Sequence, residues 1–201
     1  HDDRSIRRAT RARLWRRIRQ GAYTFEDLWL AADESRRHLI TARAVMRRHA
    51  GRVALSHVSA AIAHGLAHYG QDLTTVHVTR LDGGAGRQEA GVWHHEGLLL
   101  DDDLTELDGM LVVKPARAAL ETALLVPQGP GLVTLDSAMR KLGGPDEVLG
   151  VYELMHHWPG TQRLQVTVRL ADGRAESIGE SLSRHLLHVH HLPMPTLQFE
   201  V

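Results

Sequence analysis

The chain has 201 residues, 43% of them hydrophobic and 24% charged, which is enough apolar material for one large domain or two small ones. Lys plus Arg and Asp plus Glu both number 24, so net charge predicts no polyanionic partner and only the distribution of charge is informative. There is no cysteine, which excludes disulfides, thiolate-held zinc, iron–sulfur clusters and thiol catalysis. No apolar run approaches the length of a membrane-spanning helix.

The opening is charged throughout and lacks a signal-peptide pattern, so a cytoplasmic protein is expected. It starts at His1 and not at Met, and reads as an excerpt of a longer protein. The first twenty residues hold eight arginines and two acids. Because the whole chain is formally neutral, this segment is a local positive pole. Lys114 and Lys141 are the only lysines. The arginine surplus fits a GC-rich genome, but codon bias does not account for its clustering.

Asp3 can cap a helix over about residues 4–12, with Ile6, Ala9 and Leu14 expected inward and Arg4, Arg7, Arg8 and Arg11 along one side. Arg13, Arg16, Arg17 and Arg19 follow in a stretch that reads as strand, Gly21 turn and strand, ending near Phe25. A basic helix followed at once by a basic hairpin is the arrangement a winged helix sets against DNA, with guanidinium groups reaching phosphates and base edges.

Residues 25–29 read as a connector or helical turn. Ser35 is expected to cap a helix to about residue 50, burying Leu39, Ala42, Val45, Met46 and His49 while Arg36, Arg43 and Arg47 face out. A short apolar run at 53–55 precedes a helix over 58–66 capped by Ser56. Strands are expected at 75–80, 91–95 and, after a turn, up to Val113. Helices are expected from Pro115 to about 125, and over 132–142 and 146–157. Alternation in Leu164–Leu170 predicts a strand. A helix from Ser177 to about 191 and a closing strand over 196–201 complete the chain.

Several groups carry possible chemistry. His64 and His68, four apart, share a helix face suited to a metal, and His185, His188 and His191 repeat at three, but no acid completes a familiar ligand set. Ser56-His57 with Ser59 invites a nucleophile and base, although capping by Ser56 explains the same residues. Gly83-Gly84-Ala85-Gly86 lacks the Lys and Ser/Thr of a phosphate loop and reads as a hairpin loop. Asp101, Asp102 and Asp103 form an acidic turn without calcium-loop spacing. Ser177 and Glu180 have capping-box spacing. In a nuclease core Glu180 would instead be the first helix acid, and would need further acids and a lysine to hold magnesium.

The stretch from Arg13 to Tyr23 resembles the wing of the AbiEi-type antitoxin and regulator module. Leu55 to Ala61, His64 to Leu66, Val76 to Arg80 and Val113 to Leu120 resemble later segments of that actinobacterial and phage group. Ala171 to Arg184 is similar to the entry of the Vsr-like PD-(D/E)XK endonuclease domain that often follows, with Glu180 matching its helix glutamate. Leu192 to Pro195 and Gln198 to Val201 are similar to the turn and strand after it.

The resemblance implies an α+β protein: a partial winged helix (1–30), a mixed α/β middle domain (31–162) and a strand–helix–strand segment (163–201) like the start of a restriction-endonuclease-like fold. The expected function is a DNA-binding regulator or antitoxin. Double-stranded DNA is its partner, through Arg4, Arg7, Arg8, Arg11, Arg13, Arg16, Arg17 and Arg19, and no cofactor is needed. The family also implies a protein partner such as a nucleotidyltransferase-type toxin, which the residues themselves do not indicate. The alternative is an excerpt of a Mg2+-dependent endonuclease with Glu180 in an active site completed elsewhere.

Overall fold

The computed structural model describes residues 3–49 and 51–198. Helix α1 (Asp3–Arg11) leads into an antiparallel hairpin of β1 (Trp15–Arg19) and β2 (Ala22–Phe25), as the sequence predicts. The capping role expected of Asp3 rests on a side chain outside the described residues. The chain reverses at Gly21, whose φ of +76° is open to glycine without strain. Trp15 packs between Tyr23 and Phe25 at centroid distances of 6.4 and 6.2 Å.

Helices α2 (Glu26–Ala31) and α3 (Glu34–Arg48) follow. The cap of α3 is Asp33, not Ser35: the Asp33 carboxylate accepts the Arg36 N–H at 2.8 Å. Ser35 lies inside the helix and bonds His68 at 3.1 Å. The buried stripe of α3 is His38, Ala42, Val45 and Met46, while Arg36, Arg43 and Arg47 face solvent.

A six-stranded mixed sheet forms the middle of the molecule. Its strands are β3 (Val53–Leu55), β4 (Val76–Arg80), β5 (Arg87–Glu89), β6 (Val92–His95), β7 (Leu104–Leu107) and β8 (Met110–Val113), in the order β5-β6-β4-β3-β8-β7. Both β3–β8 and β4–β6 are parallel and the other pairs antiparallel, so the chain is an α+β protein. The segment expected to carry one strand ending at Val113 forms two, joined at Asp108-Gly109. Both turn residues have positive φ, the type I′ geometry that suits a right-twisted hairpin.

Helix α4 (His57–Ala63) packs on β4, α5 (Pro115–Leu125) on α4, and α6 (Gln128–Leu142) and α7 (Asp146–Leu154) on α5. Ala116, Ala118, Ala119 and Ala123 keep α5 thin enough to be buried between neighbours. A Cβ on Gly131 of α6 would stand 3.2 Å from that of Ala123, so α5 and α6 meet at a glycine. Helix α6 starts four residues earlier than Leu132. Pro130 falls in its first turn, where an amide N–H has no partner to lose.

The expected strand at Leu164–Leu170 is a helix, α8. Leu164, Thr167 and Val168 are its buried residues, a spacing of three and one, and Val166 is 45% exposed. The apolar residues of this segment fit both a period of two and one face of a helix, and packing into the core selects the helix. Residues 196–198 form no strand, and 199–201 lie outside the described residues. The strand–helix–strand tail is therefore corrected to helix α8, helix α9 (Ile178–Val189) and a non-strand segment. Asp136 of α6 anchors this end: its carboxylate accepts from the Asp172 N–H, Ser181 Oγ and Arg184 at 2.8, 2.7 and 3.0 Å.

Candidate functional site

The eight arginines of the amino-terminal pole divide into two groups. Arg4, Arg7, Arg8 and Arg11 are exposed on α1, with Ile6 and Ala9 half-buried on its other side. Arg13 and Arg17 are exposed as well. Arg13 adopts φ +53° between helix and hairpin, and Arg17 donates to the Arg19 carbonyl at 3.3 Å.

Arg16 and Arg19 are half-buried and brace the hairpin. Arg16 makes a forked pair with Glu26 at 3.0 and 2.6 Å and lies over the Trp29 ring, locking β1 to α2. That pair raises the Arg16 pKa and holds the Glu26 carboxyl below the usual carboxylate range. Arg19 donates to the Ala90 carbonyl at 2.8 Å, fastening the hairpin to the β5–β6 turn. Burial, followed by the charge of Arg48, holds Arg19 below its ordinary pKa.

Charge is segregated along the chain. Residues 1–52 contain fourteen of the 24 cations and six of the 24 acids, leaving the rest of the chain net acidic. Arg36, Arg43 and Arg47 of α3 add to the basic end, although Arg43 is paired with Asp108 at 2.5 Å. A groove of about 800 Å3 runs between the hairpin and α3, lined by Ile6, Trp15, Ile18, Arg43, Arg47 and Arg48 among others.

At the other end, Glu180 closes the start of α9. Ser177 Oγ accepts the Glu180 N–H at 3.1 Å, and the Glu180 carboxylate accepts the Glu176 N–H at 2.8 Å. This differs from a regular capping box, in which the carboxylate would return to the Ser177 N–H. Glu180 does not join other acids: among the described residues no group of three or more His, Asp or Glu is placed to hold a metal ion.

The histidines expected to share a face do not converge. His64 Nε2 bonds the Val113 carbonyl at 2.7 Å, and His68 Nε2 bonds Ser35 Oγ at 3.1 Å. A different cluster forms where β3 runs into α4. Ser56 occupies the cap position of α4, but its hydroxyl makes no capping bond and sits 3.0 Å from His57 Nδ1. Glu121 Oε2 stands 3.4 Å from the same nitrogen. A nucleophile–base–acid relay needs the serine and the acid on opposite ring nitrogens, so these residues do not form one.

Glu121 is held in turn by Arg117 at 2.9 Å, and Arg117 by Asp103 at 2.5 Å, which draws one acid of the 101–103 turn into the interior. His57 stacks on His95 at 3.6 Å, and His77 Nδ1 lies 2.9 Å from His95 Nε2. Burial pushes all three rings below their ordinary pKa, His77 to about 4. The glycine-rich loop is closed by Arg80, which pairs with Asp82 at 2.7 Å and donates to the Ala85 carbonyl at 3.2 Å.

Sequence reasoning missed Arg48, Arg52 and Arg87, which line a cleft with Arg19. The basic string Arg47-Arg48-His49 with Arg52 was a visible signal for part of it. The approach of Arg87, from a strand 35 residues further on, requires the fold.

No family model and no solved structure matches the chain. Two uncharacterized proteins of Mycobacterium tuberculosis, from strains CDC 1551 / Oshkosh and ATCC 25618 / H37Rv, are each similar to it, 31% identical over 148 residues. The alignment takes in 72% of this chain and 54% of each relative, so the chain spans about half the length of the curated relatives it matches. Among the described residues no helix is long and apolar enough to cross a membrane.

Proposed function

We propose that the chain is a DNA-binding, antitoxin-like regulator that lays α1 and the β1–β2 hairpin against duplex DNA. The observation that carries this reading is the exposed arginine face of α1, with Arg13 at the joint and Arg17 exposed on the hairpin beside it. Cations at this density attract phosphates and release condensed counterions, which gives binding with little dependence on sequence. Residues reaching base edges from the same helix would add selectivity. Arg16 holds the hairpin at its angle through Glu26 instead of contacting DNA, so it is a positioning residue within this proposal, while Arg19 fastens the hairpin to the β5–β6 turn with one of its donors.

The test is fluorescence anisotropy of a labelled duplex. Arg8→Ala with Arg11→Ala should weaken binding at least about tenfold, whereas Arg163→Ala with Arg169→Ala, on the far side of the chain sequence, should leave it unchanged. Equal affinities for the two double variants would contradict the proposal.

A further inference from the structure

Four arginines from three separate parts of the chain converge on one cleft of about 560 Å3 between the β1–β2 hairpin and the β5–β6 edge of the sheet. Arg19 comes from β1, Arg48 and Arg52 flank the end of α3, and Arg87 opens β5. His49 and His94 form the floor, edge to face at 5.1 Å. Among the described residues the one acid lining the cleft is Glu89, which reaches Arg87 at 3.5 Å while both side chains remain more than half exposed. Four guanidiniums against this one carboxylate leave the lining strongly positive.

We propose that this cleft is a binding site for a phosphate group. Guanidinium forks match phosphate oxygens two at a time, and each carries five N–H donors. The internal contacts of these side chains use few of those donors: Arg19 gives one to the Ala90 carbonyl and Arg52 one to the Arg48 carbonyl at 3.4 Å. Like charges crowd the cleft. Burial and then Arg52, Arg48, Arg87 and Arg19 hold the His49 ring below its ordinary pKa. Burial and then His49, Arg87 and Arg80 do the same to His94, opposed only by Glu89. An anion relieves this crowding, and both rings line the cleft beside it.

The phosphate belongs either to a duplex backbone or to a free phosphate ester. The first source rests on the nucleic-acid reading above; the site itself does not. The experiment titrates inorganic phosphate at constant ionic strength and follows the thermal midpoint and the His49 and His94 ring signals by NMR. Phosphate should raise the midpoint and move both signals. Arg52→Gln with Arg87→Gln, both exposed positions, should abolish the response without lowering the unliganded midpoint, and Arg48→Gln should weaken it. In the duplex assay the Arg52/Arg87 variant should bind about tenfold more weakly, with the salt slope reduced by about two.

A phosphate response lost in that variant while its duplex affinity is intact assigns the site to a free ester; loss of both, or of duplex affinity alone, assigns it to the backbone. If the protein shows no phosphate response and the Arg52/Arg87 variant binds duplex normally, the cleft is not a phosphate site. A phosphate response in a protein that binds no duplex at any salt overturns the nucleic-acid reading and leaves the cleft standing.

Discussion

Arg117 is 4% exposed and joins four parts of the fold at once. Its guanidinium donates to Glu121, to Asp103 and to the Leu98 carbonyl at 2.9, 2.5 and 2.8 Å, and lies 4.6 Å from the Trp158 ring centroid. Glu121 is 1% exposed, and burial raises its pKa while Arg117 lowers it. Removing the cation strands a carboxylate in the interior, so Arg117→Met should destabilise the protein by about 3–5 kcal/mol in urea unfolding. Adding Glu121→Gln should recover part of that loss. A single-variant effect below about 1 kcal/mol would contradict this account of the pair.

The buried imidazoles set the response to acid. Unfolded, His77 takes up a proton near 6.5; folded, only near 4. The unfolded state therefore binds more protons across this window. The contribution of His77 is complete above the unfolded value and fades as the pH falls toward the folded one. At about 1.4 kcal/mol per pH unit, His77 accounts for roughly 2 kcal/mol of lost stability between about pH 6.5 and 5. Burial raises the carboxyls of Glu121 and Asp136, which act in the opposite direction, so the measurement is a difference. His77→Gln should remove that much acid sensitivity, read from urea midpoints at the two pH values. Identical pH dependence in the variant and the parent would refute it.

At the scale of elements, the caps offer the simplest stability tests. Asp33→Ala and Ser177→Ala each remove a side-chain acceptor from a helix start and should each cost about 1 kcal/mol, while Ser35→Ala should not weaken the α3 cap. Equal losses for Asp33→Ala and Ser35→Ala would contradict the placement of the cap. The basic helix and hairpin were legible because Ile6 and Ala9 oppose a row of arginines, and because Gly21 stands between two short runs that each carry aromatic residues. Helix α8 was not, because Leu164, Val166, Val168 and Leu170 alternate like a strand and only the burial of Leu164, Thr167 and Val168 reveals the helix. Strand β5 escaped for a different reason: Arg87-Gln88-Glu89 is wholly exposed and has no apolar face to show a period.

The molecule as a whole joins a basic amino-terminal end to a net acidic remainder, with its core between the sheet and α4, α5 and α6. The phosphate cleft was the least legible part, since its walls come from β1, the end of α3 and β5, and only the order of strands in the sheet brings them together. Arg19 shows how closely hairpin and sheet are linked: one guanidinium bond to the Ala90 carbonyl places the hairpin beside the β5–β6 edge. Whether the outward arginines of α1 and the hairpin meet a polyanion together is read from the salt dependence of duplex binding. Plotted as log K against log salt, the data should fall with a slope of about −4 or steeper, because several phosphates are neutralised at once. A slope near zero, or no measurable duplex binding at low salt, would contradict the account.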